Sequence, residues 1–214
     1  MNLKKWSYLF WTTLCLGGAV MLITGLSMQL YQQELSNLRG PADVLMNIFQ
    51  LILSGFTISV FAQMGFFAYL TLNLLANGMF RRAWPYIQVV LTVIVLLDVM
   101  FLRTLLGQER DLIQDVVLGL TLLVFSVGIA IVKMKITTSS ALIPTLFYMI
   151  VGTTIEMTFA LNMSPIATWF LFIPLVACNA YQILILSRVL EGRIGKNKME
   201  LPQEAGFAAK TVKS

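Results

Sequence analysis

Histidine is absent from this chain. That excludes imidazole general acid–base chemistry, Ser–His and Cys–His nucleophile pairs, and any zinc site that needs an imidazole ligand. Charge is nearly as scarce. Only 12% of the 214 residues are Asp, Glu, Lys or Arg, against roughly 25% in soluble domains. Hydrophobic residues make up 58% and the mean hydropathy is +0.82, more apolar surface than one soluble core of this size could hide. The chain has two cysteines, Cys15 and Cys178, each inside an apolar run. With no second pair and no short spacing they read as small hydrophobes rather than as a disulfide or metal site. The net charge of +5 does not point to nucleic acid, because the basic residues gather at the ends of apolar runs.

What is present is a series of membrane-length segments. A spanning helix needs about 20 mainly apolar residues, and six runs qualify: 6–30, 45–76, 84–105, 112–132, 139–161 and 166–187. The first opens with MNLKK but continues too long, without a small-x-small cleavage site, and reads as a retained helix. If the N-terminus is cytoplasmic, the inner segments hold Lys4, Lys5, Arg81, Arg82, Lys133 and Lys135. The tail adds Arg188, Arg193, Lys196, Lys198, Lys210 and Lys213, whereas only Arg39, Arg103 and Arg110 fall outside. This bias predicts an all-α, polytopic bundle of six transmembrane helices in the cell membrane with both termini cytoplasmic. Residues 1–187 form the membrane domain and 188–214 a basic, largely disordered cytoplasmic tail near anionic lipid.

Polar groups at membrane depth are costly and turn inward towards partners. In an antiparallel hairpin, residues equidistant from the turn lie level. The turn near Phe80–Arg81 then sets Gln63 level with Asp98, and Asn73 level with Gln88. The turn near Ile136–Thr137 sets Asp115 level with Thr158, half a turn from Glu156. The outer turn near Gln108 brings Arg103 level with Ile113, close to Asp115. The expectation is a polar layer of Gln63, Asp98, Arg103, Asp115 and Glu156 in the outer half of the membrane. It is either a structural register device or a sensing cavity. Gly18 and Gly25, Gly55-x3-Ser59 and Ser126-x3-Ala130 mark close helix packing. Pro144 and Pro174 are expected to kink their helices. Trp6, Trp11, Trp84 and Trp169 are expected in the interfacial belts.

The second run is too long. Its 32 residues would extend roughly 48 Å at 1.5 Å per residue, against a hydrocarbon core of about 30 Å. Either the helix tilts strongly or its end leaves the core, laying an aromatic and basic segment along the inner interface. Phe66, Phe67, Tyr69, Phe80, Arg81 and Arg82 are then the candidate partner-contact surface.

The block QMGFFAYLTLNLLANGMFRRAWPYIQVVL, followed by the aspartate of LLDVMFLR, resembles the KinB-signalling pathway activation proteins of endospore-forming bacteria. Six helices and the chain length also fit. The matching residues are Gln63, Gly65, Phe66, Phe67, Tyr69, Gly78, Phe80, Arg81, Gln88 and Asp98. The resemblance implies a cytoplasmic-membrane protein that promotes activity of a membrane sensor histidine kinase feeding the sporulation phosphorelay. It implies no catalytic residue, cofactor or metal.

Two functions are therefore weighed. The first is a non-enzymatic regulator acting by helix–helix contact with the kinase, with the lipid bilayer as its other partner and no nucleic acid. The second is a small-molecule transporter or substrate-capture subunit using Gln63, Asp98 and Glu156; the lack of repeat symmetry speaks against it. An intramembrane enzyme has neither a Gly-x-Gly-Asp motif nor a nucleotide-binding box to rest on.

Overall fold

A computed structural model describes residues 3–32, 40–102, 112–161 and 166–186, and among these the only regular elements are helices. α1 is Leu3–Tyr31. α2 runs without interruption from Pro41 to Phe80, and α3 is Trp84–Leu97, extended by a π turn at Asp98–Leu102. α4 is Leu112–Ile136. α5 (Leu142–Phe147) passes through a second π turn, Tyr148–Gly152, into α6 (Thr153–Leu161). α7 is Ile166–Leu186.

Among the described residues, five helical segments are long and apolar enough to cross a membrane: Trp6–Tyr31, Pro41–Phe101, Ile113–Ile136, Ser139–Thr158 and Ile166–Leu186. The sequence pattern predicts six. The second and third runs are continuous here, joined by three 3-10 residues, Arg81–Ala83, instead of a loop. Pro41 starts α2 at a position whose N–H has no helical partner anyway. α2 stops at Arg81, a non-glycine residue at φ 41° whose N–H bonds back to Asn77 O. That backbone is sparsely populated for an L-residue and costs about 1–3 kcal/mol. Pro85 then opens α3.

The two limbs fold back on each other. Asn73 Oδ1 accepts from Trp84 Nε1 at 2.8 Å and from Gln88 Nε2 at 3.5 Å. In a straight helix, residues 11 and 15 apart would lie roughly 16 and 22 Å apart along the axis. The Phe80 and Trp84 rings stack across the corner at 6.4 Å. Trp84 is therefore buried in the bundle. Its buried amide neighbour Gln88 lies level with Asn73, as hairpin counting expects.

Beyond this corner the limbs part, because the α5 region inserts between them. α3 packs on α5 and the second π turn. Phe147 meets Trp84 from one side, and Tyr148 meets Phe66 and Tyr69 from the other. Pro144, expected to kink its helix, lies in the first turn of α5, where its missing N–H removes little.

α1 and α2 form an antiparallel pair held at close range by small residues. A Cβ on Gly55 would lie 2.7 Å from Gly17 O, Gly18 Cα and Met21 Cβ. A Cβ on Gly17 would lie 2.8 Å from Ser59 Cβ and 3.2 Å from Cys178 Sγ of α7. Cys178 is thus part of a three-helix seam. Near the other end, Gln29 and Asn47 exchange amide hydrogen bonds of 3.0 and 2.7 Å.

Candidate functional site

Gln63 is buried on the α1-facing side of α2. Its Nε2 donates to Phe10 O at 3.1 Å and to Ser59 Oγ at 3.5 Å. Asp98, its expected neighbour, is exposed on the π turn that ends α3. The pairing assumed that α2 and α3 stay adjacent along their length, and the α5 region separates them. Gln63 Oε1 and Gln182 Nε2 are buried without a hydrogen-bond partner. Both residues line a space of about 10 Å³ beside Trp6 and Phe66, the size of one water molecule.

The densest polar cluster centres on Tyr148 and Glu156. The Tyr148 hydroxyl donates to Asn179 Oδ1 at 2.8 Å, with Gln182 Oε1 at 3.3 Å sharing the proton. Asn179 Nδ2 donates to Glu156 Oε2 at 2.7 Å and to Thr153 Oγ1 at 3.1 Å. Asn179 and Gln182, three apart on α7, face the bundle together. The π turn widens the helix by one residue, and a Cβ on Gly152 would already lie 3.0 Å from the Tyr148 ring. Opposite, a side chain at Gly65 of α2 would collide with Glu156 Oε1. Gly65 is thus a notch that admits the carboxyl.

Between α2 and the α5–α6 limb lies a cavity of about 250 Å³. Gly65, Tyr69 and Leu72 line it on one side, and Phe147, Tyr148 and Glu156 on the other. The Tyr69 hydroxyl donates to Pro144 O at 3.1 Å, so both phenols on the wall are already committed. Glu156 Oε1 is buried with no hydrogen-bond partner.

The members of the expected polar layer have separate surroundings. Gln63 faces α1, whereas Glu156 meets α2 at Gly65, two residues on and so on a different side of the helix. Asp115 is buried on α4, and Arg103 lies outside the described residues. Of the expected contact surface, Phe66 and Tyr69 are 1% and 7% exposed and belong to the protein's own core. Phe67, Phe80, Arg81 and Arg82 are exposed, although Phe67 also packs on Trp6 at 5.1 Å. Sequence reasoning misses Tyr148, Thr153, Asn179 and Gln182 because it ranks polar residues by charge. The two amides spaced three apart in an apolar run are the available signal. Lys133, counted among the inner basic residues, is buried, and its ammonium donates to Ile183 O of α7.

Comparison with known proteins converges on one family. A family model described as KinB-signalling pathway activation in sporulation matches residues 17–189. A curated protein of Bacillus subtilis (strain 168), named KinB-signaling pathway activation protein, is 30% identical over 185 residues. That alignment covers 84% of this chain and 93% of the relative. No solved structure matches the chain. The match takes in α2, α3 and the Tyr148–Glu156–Asn179 cluster alike, and the chain belongs to the family of KinB-signalling pathway activation proteins.

Proposed function

We propose that this protein promotes the activity of a membrane sensor histidine kinase in sporulation signalling by helix–helix contact within the bilayer, and that it catalyses no reaction itself. The observation that carries the reading is the family match across 17–189, which spans nearly all of the helical domain. The relative's name ties that protein to KinB signalling, and we extend the tie to this chain.

We further propose six passes with both termini cytoplasmic. Three antiparallel relations support this. α1 runs against α2 through the Gln29–Asn47 and Phe10–Gln63 contacts. α2 reverses into α3 at Arg81. α2 runs against α5–α6, since Tyr69 meets Pro144 while Gly65 meets Glu156. The positive-inside pattern sets which side is cytoplasmic. The contact surface is narrowed to the exposed corner of Phe80, Arg81 and Arg82, with the basic tail as a second element; the exposed Phe67 lies roughly 20 Å back along α2.

Co-purification of the kinase from membranes tests this, using full-length protein, protein lacking 188–214, and Arg81→Glu/Arg82→Glu. The kinase should be retained by the intact protein and weakened by the charge reversal. If no kinase is recovered with the intact protein, and sporulation is unchanged on deletion in the native host, the reading fails.

A further inference from the structure

The cavity between α2 and the α5–α6 limb presents a wall made almost entirely of aliphatic and aromatic carbon. Tyr69 and Tyr148 direct their hydroxyls away, to Pro144 O and to Asn179 and Gln182. The Glu156 carboxyl is closed off: Asn179 holds Oε2, and Oε1 is buried against Gly65 of α2. A strongly polar ligand would therefore give up its hydrogen bonds with nothing in exchange. The class this wall accepts is hydrocarbon.

Shape and access narrow the class further. Gly65, Ala68 and Leu72 form one helical stripe on α2, and Tyr148, Val151 and Ile155 form the facing one. Each stripe covers two turns, roughly 10 Å at 1.5 Å per residue, so the space is a groove that runs with the helix axes. Its volume of about 250 Å³ exceeds the 150 Å³ of an apolar cavity that holds benzene, but a whole helix, about 10 Å across, cannot enter. The floor is buried at Tyr69, Phe147 and Tyr148, whereas Ala68, Leu72 and Ile155 on the rim are exposed. All lie within segments of membrane-spanning length and composition, so the mouth opens on lipid. Trp6, which begins the spanning stretch of α1, packs on Phe67 at 5.1 Å. The groove therefore lies near one surface of the bilayer, within reach of chains anchored there.

We propose that this groove is a binding site for one lipid acyl chain, which enters sideways from the bilayer while its headgroup stays at the nearby surface. The chain lies between Ala68 and Leu72 on one side and Val151 and Ile155 on the other. Walls on both sides give it dispersion contacts that a chain lying against a single helix face lacks, and these hold it in place. The site is independent of the kinase-contact reading, because it needs no partner protein.

The test places purified full-length protein, one copy per disc and without kinase, in nanodiscs of dioleoyl phosphatidylcholine. A small fraction of the lipid carries a photoreactive diazirine at mid-chain, and peptide mapping after illumination locates the label. Residues 68–72 and 151–155 are expected to take up several-fold more label than the exposed α4 residues Val124 and Phe125. Ala68→Phe, whose ring occupies the mouth, is expected to bring the groove down to the α4 level. Ile155→Trp, which fills the mouth from the opposite rim, is expected to do the same and stands alone should Ala68→Phe not fold. Leu120→Phe, at an exposed position on α4, is expected to leave the groove label unchanged. Groove label no stronger than that on α4 would mark ordinary surface lipid and overturn the proposal. So would an excess that survives both groove-filling variants, or one that Leu120→Phe lowers equally.

Discussion

Gly55→Ala should destabilise this protein even though alanine is the better helix former. The ideal Cβ would lie 2.7 Å from Gly17 O, Gly18 Cα and Met21 Cβ, roughly 0.7 Å inside ordinary van der Waals contact. None of the three atoms is the far end of a flexible side chain, so relief requires α1 and α2 to move apart. That movement would loosen Phe10 O from Gln63 and Ser59 from Gly17, which share the interface. Overpacking of this kind costs about 1–3 kcal/mol. The opposing gain in helix propensity is at most about 1 kcal/mol. It is smaller in a membrane, where the separated helices are already helical. The expected net loss is therefore about 1–2 kcal/mol. The measurement is unfolding in mixed micelles by titration with a denaturing detergent, followed by tryptophan fluorescence. Gly128→Ala is the control, because a Cβ there meets nothing within 4 Å; its effect should stay within about 0.5 kcal/mol. Adding Gly17→Ala to Gly55→Ala should cost less than the sum of the two, since both relieve by opening the same gap. If Gly55→Ala matches or exceeds the wild type while Gly128→Ala behaves as stated, the close α1–α2 approach is refuted.

Two further substitutions probe the polar cluster and the corner. Tyr148→Phe removes a hydroxyl shared by Asn179 and Gln182 and should cost about 1 kcal/mol in the same assay. Tyr69→Phe, which loses only the bond to Pro144 O, should cost about 0.6 kcal/mol; the reverse order would count against Tyr148 as the centre of the cluster. Asn73→Leu strands the buried Trp84 Nε1 and Gln88 amide and should cost about 1–3 kcal/mol. An unchanged unfolding midpoint would mean that the α2–α3 corner is held by ring stacking alone.

Much of this protein is legible in its residue order, for a physical reason. Burial in lipid demands long apolar helices whose backbone bonds are satisfied internally, and composition with run length reports that demand directly. The α2–α3 reversal and the Asn73–Gln88 level are equally local, set by residues within one hairpin. The block carrying the family resemblance includes Gly65 without a reason for it; the reason, a carboxyl from α6 seated where a Cβ would stand, involves a residue 91 positions away in the chain.

What the sequence could not show was which helix lies beside which. Hairpin counting assumes that neighbours in sequence remain neighbours in space, and this fails once α5 wedges between α2 and α3. From that single displacement follow the exposure of Asp98, the burial of Phe66 and Tyr69, and the meeting of Tyr148, Glu156, Asn179 and Gln182. Sequence by itself determined the solvent, the helices and the family. Only tertiary packing decided which polar atoms are paired and which are left over, because partner choice among helices depends on side-chain shape and small-residue gaps, which no single run of residues encodes.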